Sequence, residues 1–401
     1  MSKLEEQLRA RLLDREKRSQ LRRLTTFPAD NVDFSSNAYL SLSSVPEIRS
    51  AYHSLLENLA APPPLLGSGG SRLLDGNSAL AENLERDIAA FHNADAGLLF
   101  NSGFDANVGL VSCLPQPEDV VVYDELIHAS AHDGMRLSRA GRRVSFKHNC
   151  VYGEGGLDEV LSGIGGEKSL FILVEGVYSM DGDVAPLKDI VACVKRRLPA
   201  NGYIIVDEAH STGIFGHQGR GLVCELGLEK EIFARLHTFG KAMSSFGAIV
   251  LCSPTTREYL INYARTLIYT TAMPFSCLAS IGISYQYLQS GRADERLKHL
   301  WNLVSYTHKL LAEACSLSQS IRAEAAPKSP IIPVFTSQPR SLAQFCQERG
   351  FTVRPIVAPT VPKGSERVRI CVHAGNTVAE VEGLVETIKL CVQVHEGSAK
   401  L

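Results

Sequence analysis

The sequence predicts an α/β fold: a large domain with a mainly parallel central sheet flanked by helices, then a small α+β C-terminal domain. Three observations carry this. Short apolar strands alternate with helical stretches from about residue 96 to 252, the pattern of a parallel sheet with helices on both faces. The rhythm changes after about residue 252, with a long helical tract from about Ser276. At 401 residues, the chain is long enough that two domains are the prior. Residues 1–60 are expected to form an N-terminal helix and arm, 61–290 the large domain and 291–401 the small one. No internal repeat or low-complexity tail is visible.

Composition narrows the function classes. Hydrophobic content is 45% and charged content 21%, as in ordinary soluble enzymes. A net charge of −2 offers no basic field for nucleic acid or an anionic membrane. No apolar run is long enough to span a bilayer. The 10 cysteines form no Cys-x-x-Cys pair and no signal peptide precedes them. Reduced thiols in an intracellular compartment are therefore expected, with neither zinc nor a disulfide framework.

In chain order, Met1 to about Leu24 reads as an amphipathic helix, with Leu4, Leu8, Leu12, Leu13, Leu21 and Leu24 near helical spacing. Its acids, Glu5, Glu6, Asp14 and Glu16, argue against a mitochondrial presequence. Arg22 and Arg23 close it. Phe34-Ser35-Ser36-Asn37-Ala38-Tyr39-Leu40 is a polar turn bounded by aromatics, and Pro62-Pro63-Pro64 marks a linker or rigid bend. Gly67-Ser68-Gly69-Gly70-Ser71-Arg72 meets neither nucleotide fingerprint, since it lacks the Walker lysine and no strand precedes it.

A helix is expected from Asn77 to about Asn93, then a buried strand at Ala96–Phe100. Asn101-Ser102-Gly103-Phe104 leads from that strand into another helix, an arrangement whose free amides and dipole favour a phosphate. Asp119–Tyr123 is the next strand, and His128 opens the following helix, either as a cap or flat against an aromatic ring. Ser169–Val174 is another strand, followed by the polar run Glu175-Gly176-Val177-Tyr178-Ser179-Met180-Asp181-Gly182-Asp183. Open α/β sheets place their sites after such strand ends. Pro186 starts a helix to about Leu198.

The chemistry converges on two further strands. Tyr203-Ile204-Ile205-Val206 ends in Asp207, with His210 three residues on. Ala234–Thr238 delivers Lys241 on a small-residue loop. Taken singly, such a lysine is an ordinary solvated residue and such an aspartate an ordinary cap. Together with His210 and Thr238 they match what pyridoxal phosphate needs. The amine forms a Schiff base with the aldehyde, and the carboxylate keeps the pyridine nitrogen protonated and the ring an electron sink. A strand at Phe246–Cys252 completes the large domain. A helical tract from about Ser276 to Ser316 follows. The small domain should hold strands Ile331–Phe335, Thr352–Val357 and Arg367–Val372, with helices Ser341–Arg349 and Thr377–Gln393.

These stretches, with Val206-Asp207-Glu208-Ala209-His210-Ser211-Thr212-Gly213, Thr238-Phe239-Gly240-Lys241 and Pro359-Thr360-Val361-Pro362, resemble the α-oxoamine synthases, a fold-type I pyridoxal-phosphate family. The resemblance covers nearly the whole chain. It implies that Lys241 carries the cofactor, Asp207 partners the pyridine nitrogen, His210 touches the ring hydroxyl and His128 stacks on the ring. Gly103, Phe104, Ser179 and Thr238 would contact the cofactor. Thr270 and Thr271 would reach the phosphate of the neighbouring subunit, implying a homodimer with shared active sites. Arg22, Asn37 and Thr360 would contact substrate. The implied reaction is decarboxylative condensation of an amino acid with an acyl-CoA, with L-alanine and pimeloyl-CoA as the expected pair. Another acyl-CoA or amino acid, a plain aminotransferase of the same fold, and a non-catalytic partner subunit are the alternatives; the presence of Lys241 argues against the last.

The chain departs from the family in three places. Its Asn-Asp-Tyr-Leu-Gly-Leu is Asn37-Ala38-Tyr39-Leu40-Ser41-Leu42 here, and the segment between the first helix and Phe34 is short. The arginine expected to hold the amino-acid carboxylate is Val357, which leaves Arg354 as the nearby candidate. Positions i and i+3 face opposite sides of a strand, so that replacement requires a bulge or a different path. Finally, Ala399-Lys400-Leu401 resembles a Ser-Lys-Leu peroxisomal address, to be read as such in a eukaryotic cell and otherwise as a cytoplasmic terminus.

Overall fold

In the computed structural model, which describes residues 2–18, 20–57, 66–164, 168–324 and 326–398, the described residues run through fourteen α-helices and thirteen strands. The first part comprises α1 (Lys3–Lys17), β1 (Val32–Asp33), α2 (Pro46–Glu57), α3 (Ala79–Phe91), β2 (Ala96–Phe100) and α4 (Gly103–Cys113). There follow β3 (Val120–Asp124), α5 (Ala129–Leu137), β4 (Arg142–Phe146), α6 (Leu157–Ser162), β5 (Leu170–Glu175), α7 (Leu187–Arg197) and β6 (Gly202–Asp207). Next come α8 (Leu222–Glu225), β7 (Ala234–Thr238), β8 (Ala248–Cys252), α9 (Pro254–Tyr263), α10 (Arg265–Ile268), α11 (Phe275–Gln289) and α12 (Asp294–Ser316). The last part is β9 (Arg322–Ala323), β10 (Ile331–Phe335), α13 (Pro339–Gln347), β11 (Phe351–Thr352), β12 (Arg354–Ile356), β13 (Arg367–Cys371) and α14 (Val378–Ser398).

Seven strands form the central sheet in the order β2-β8-β7-β6-β5-β3-β4. The run from β7 to β4 is parallel, while β8 is antiparallel to both its neighbours. The fold is therefore the mainly parallel α/β sheet that the strand–helix alternation predicts. Alternation along each strand divides its side chains between two cores. Val120, Val122, Ile172, Ile204 and Val206 enter one core, and Val121, Phe171, Leu173 and Ile205 the other. Helices α4 and α5 cover the second face. With both faces covered, β5, β7 and β8 are buried along their full length, which explains the nearly continuous apolar runs of β5 and β8.

The smaller sheet is antiparallel in the order β12-β13-β10-β9, with α12, α13 and α14 packed beside it. The N-terminal arm reaches this part of the chain through β1, which pairs in parallel with β11 in a separate two-stranded sheet. Gly182, at φ +70°, lies so close to the Ile331 carbonyl that a Cβ there would collide with it, so β10 seats directly on the loop after β5.

Several expectations need correction. The first helix stops at Lys17 rather than near Leu24. It has no buried residue, and Leu24 is fully exposed, so nothing packs against a longer helix to support it. The tract from Ser276 to Ser316 is two helices, broken where Gly291 adopts φ +75°. The strand expected at Thr352–Val357 is two short pieces, and Val357 lies beyond the second. Pro62-Pro63-Pro64 and Ala399-Lys400-Leu401 fall outside the described residues.

Candidate active site

Parallel strands end together on one side of a sheet, and here Glu175, Asp207 and Thr238 terminate β5, β6 and β7. Glu175 and Asp207 are register partners. Over these ends lies a cavity of about 190 Å³, walled by the start of α4, the start of α5 and the loop carrying Lys241. Gly103, Phe104, His128, Asp207, His210, Thr238 and Lys241 all line it, so the structure brings together seven of the residues singled out from the sequence.

Asp207 is fixed from two sides. Its Oδ1 accepts from the Ala209 amide at 2.9 Å and its Oδ2 from Asn107 Nδ2 at 2.7 Å. Asn107 spends its second amide hydrogen on Ser130 Oγ at 2.9 Å. Ser130 in turn approaches His128 Nδ1 at 2.7 Å, and its backbone N–H donates to the same nitrogen. Nδ1 is thus an acceptor. Burial holds the His128 pKa below its usual value, so the ring is neutral and carries its proton on Nε2. Asn107 and Ser130, which the sequence reading missed, complete a chain from carboxylate to imidazole.

Lys241 is joined to a second chain. Its Nζ donates to His210 Nε2 at 2.9 Å, and His210 Nδ1 meets the Tyr39 hydroxyl at 2.8 Å. The Tyr39 O–H donates to Asn37 Oδ1 at 3.2 Å. His210 is buried, and burial together with the charge of Lys241 drives its pKa well below the usual range. A neutral His210 accepts at Nε2 and donates at Nδ1. Desolvation lowers the Lys241 pKa to about 8, against the opposing pull of Asp207 and Glu175. Its amine therefore carries a minor unprotonated fraction at neutral pH, far larger than an ordinary lysine's, and that fraction is the one a nucleophile or base requires.

The far end of that chain is Arg369. Its Nη2 lies 3.4 Å from Asn37 Oδ1 and 3.3 Å from the Ser35 carbonyl, while Nη1 donates to the Ser179 carbonyl at 3.0 Å. The side chain is buried, its Nε has no partner, and no carboxylate pairs with it among the described residues. A buried guanidinium with an orphaned donor, joined to Lys241 through Asn37, Tyr39 and His210, is a candidate carboxylate site. Arg354 instead donates to Thr25 Oγ1 and lies on the Phe27 ring; neither it nor Arg369 is among the residues that line the cavity. Ser179 touches the site through its carbonyl only as Arg369's acceptor. Thr360 and Arg22 are exposed. Thr270 and Thr271 lie outside the cavity, where Asn101 Nδ2 reaches Thr270 Oγ1 and the Thr271 carbonyl.

The residues fit a phosphorylated pyridine aldehyde. The cavity offers one half-buried amine, one anchored carboxylate and the N-terminus of the eleven-residue α4. At that helix start, Gly103 sets the backbone against Thr238, and the free amides there suit an anion.

A family model for aminotransferases of class I and II matches residues 29–388. An 8-amino-7-oxononanoate synthase from Emericella nidulans is 53% identical over 98% of this chain and 97% of its own length. An aminoacyl transferase, sphA, from Byssochlamys spectabilis is 39% identical over 89% of this chain and 80% of its own. Among solved structures, an SPT with PLP as an internal aldimine superposes with a TM-score of 0.81 at 28% identity, covering 91% of this chain and 88% of that one.

Proposed function

We propose a reaction from one premise: this chain belongs to the class I and II aminotransferase family, and within it to the α-oxoamine synthases, fold-type I enzymes that use pyridoxal phosphate. It is a pyridoxal-phosphate acyltransferase. The reaction we assign is condensation of L-alanine with pimeloyl-CoA to 8-amino-7-oxononanoate, with release of CO2 and CoA. The observation that carries it is the partially unprotonated Lys241, in one hydrogen-bonded chain with a buried arginine that has no carboxylate partner among the described residues. The E. nidulans relative supports the choice of substrates.

When bound, pyridoxal phosphate supplies an aldehyde for amines and a ring that stores a carbanion's electron pair. The chain's own residues do the rest. Lys241 would hold the cofactor, and its free amine is the base that would take the Cα proton of the amino acid. His210 orients that amine through Nε2. Asp207, held by Asn107 and the Ala209 amide, presents a fixed negative charge to the ring nitrogen. The α4 amides and Thr238 hold the phosphate. His128, tied through Nδ1 to Ser130, presents its ring to the cavity. Arg369 binds the amino-acid carboxylate and keeps it beside the base until it leaves as CO2.

Purified protein given pyridoxal phosphate, L-alanine and pimeloyl-CoA should release CoA and CO2 in equal amounts and form one new amino ketone. Turnover with other acyl-CoA or amino-acid partners, but not this pair, would overturn the assignment. It would favour a secondary-metabolite synthase, a reading to which the sphA resemblance lends weight.

A further inference from the structure

The antiparallel register of β12 and β13 sets Arg354 directly across from Arg369. Directly opposed residues share a face of the sheet, and like charges in that position repel. Neighbouring Arg367 relieves its own charge by pairing with Asp181. Arg354 and Arg369 pair with no carboxylate among the described residues. Two cations set across from each other without carboxylate partners leave both guanidinium groups available to anions that arrive with the ligands.

Arg354 is arranged to receive one of them. Its Nη1 donates to Thr25 Oγ1 at 3.0 Å, and its guanidinium carbon lies 4.5 Å from the centre of the Phe27 ring. A guanidinium lying against an aromatic ring keeps its planar fork oriented, with in-plane donors left for a carboxylate. Thr25 and Phe27 belong to the segment that follows α1, so the N-terminal arm supplies a wall of this site.

We propose that Arg354 is a specificity-determining residue that binds the free carboxylate at the far end of an ω-carboxyacyl thioester. The inference rests on the proposed condensation and adds what selects its acyl donor. The amino acid brings one carboxylate, which departs as CO2. A donor derived from a dicarboxylic acid brings a second, which survives into the product. Arg369, in the chain to Lys241, serves the first, and Arg354, one strand further out, serves the second. A donor ending in a methyl group leaves the Arg354 charge uncompensated.

The test compares pimeloyl-CoA with heptanoyl-CoA, which has the same carbon count and no terminal carboxylate. Both are assayed with the holoenzyme and saturating L-alanine, and the dissociation constant of each thioester is measured by calorimetry. Wild type should prefer pimeloyl-CoA. In both Arg354→Gln and Arg354→Met the ratio of kcat/KM for the two donors should fall about tenfold or more, through the pimeloyl-CoA KM, with a matching change in the binding ratio. Arg354→Lys should recover part of it. An unchanged ratio, an equal loss on both donors, or a loss confined to the alanine KM overturns the inference while leaving the reaction standing. A wild-type enzyme that condenses alanine with no acyl-CoA overturns the reaction, and the donor selection with it.

Discussion

Two opposing effects meet at the Lys241 amine: desolvation pulls its pKa down, and Asp207 and Glu175 pull it back up. Desolvation wins, leaving a value of about 8. The rate at which apoprotein takes up pyridoxal phosphate, followed by absorbance, should therefore rise with pH through a midpoint near 8 and then level off. A flat profile from pH 6.5 to 9.5 would contradict a free-amine nucleophile. Arg369 lowers the same pKa by its charge. Replacing it (Arg369→Gln) should move the midpoint upward and raise the alanine KM by roughly 10- to 100-fold, the scale of one lost charged hydrogen bond. An alanine KM within twofold of wild type would remove Arg369 as the anchor. The sequence pointed to Arg354 for that role because it lies near the missing arginine in the chain. Register sets the two arginines across from each other on one face, and their partners distinguish them: Arg369 reaches Asn37 in the chain to Lys241, while Arg354 bonds Thr25, and such long-range partners are not visible in a single strand's residues. Asn107 was missed for the same reason, since its partner lies 100 residues away. One signal was available: it is four residues beyond Gly103, on the same face of α4 as the cofactor-facing helix start.

His148 shows how the sheet's edge is tied to the loop that carries Gly182. It follows β4 and bonds Asp124 at the end of β3 through Nδ1 at 2.8 Å, and Asp183 beyond β5 through Nε2 at 2.6 Å. Burial alone would lower its pKa, but the two carboxylates outweigh that and hold it at about 9. The unfolded value is about 6.5. The stabilisation from this cation is thus complete below about pH 6.5 and is lost as pH rises through 9. His148→Gln should melt roughly 2–4 °C below wild type at pH 6, with the gap closing above pH 9. A gap of constant size would mean that the imidazole packs without being charged. Strand β4 itself was not legible: Arg142, Arg143 and Ser145 are solvent-facing, so its burial pattern lacks a continuous apolar run. The buried strands β5, β6 and β8 were readable because both faces are covered and nearly every residue is apolar. The helix α2 went unread because none of its residues is buried and only a partial apolar face marks it.

At the scale of the whole molecule, the cavity has an exposed edge at Phe104. Phe104 lines the cavity and is 46% exposed, and Tyr269, just before Thr270 and Thr271, is 71% exposed. Both belong to one surface, since Asn101, between β2 and α4, holds Thr270 and Thr271. We infer that this surface pairs with its symmetry mate, so that the partner's copy of the same segment closes each cavity at its phosphate end. An interface of this kind is isologous, and the active sites then come in pairs. Light scattering should give twice the 43.7 kDa of one chain. Sharing is tested by mixing. A Lys241→Ala chain and a chain carrying Thr270→Ala and Thr271→Ala should each have low activity alone. Refolded together, they should form hybrid dimers in which one of the two sites has both Lys241 and the partner's threonines, with activity recovering toward about one quarter of wild type for a random mixture (half the dimers hybrid, half their sites complete). No recovery in a mixture that light scattering shows to be dimeric would confine each active site to its own chain.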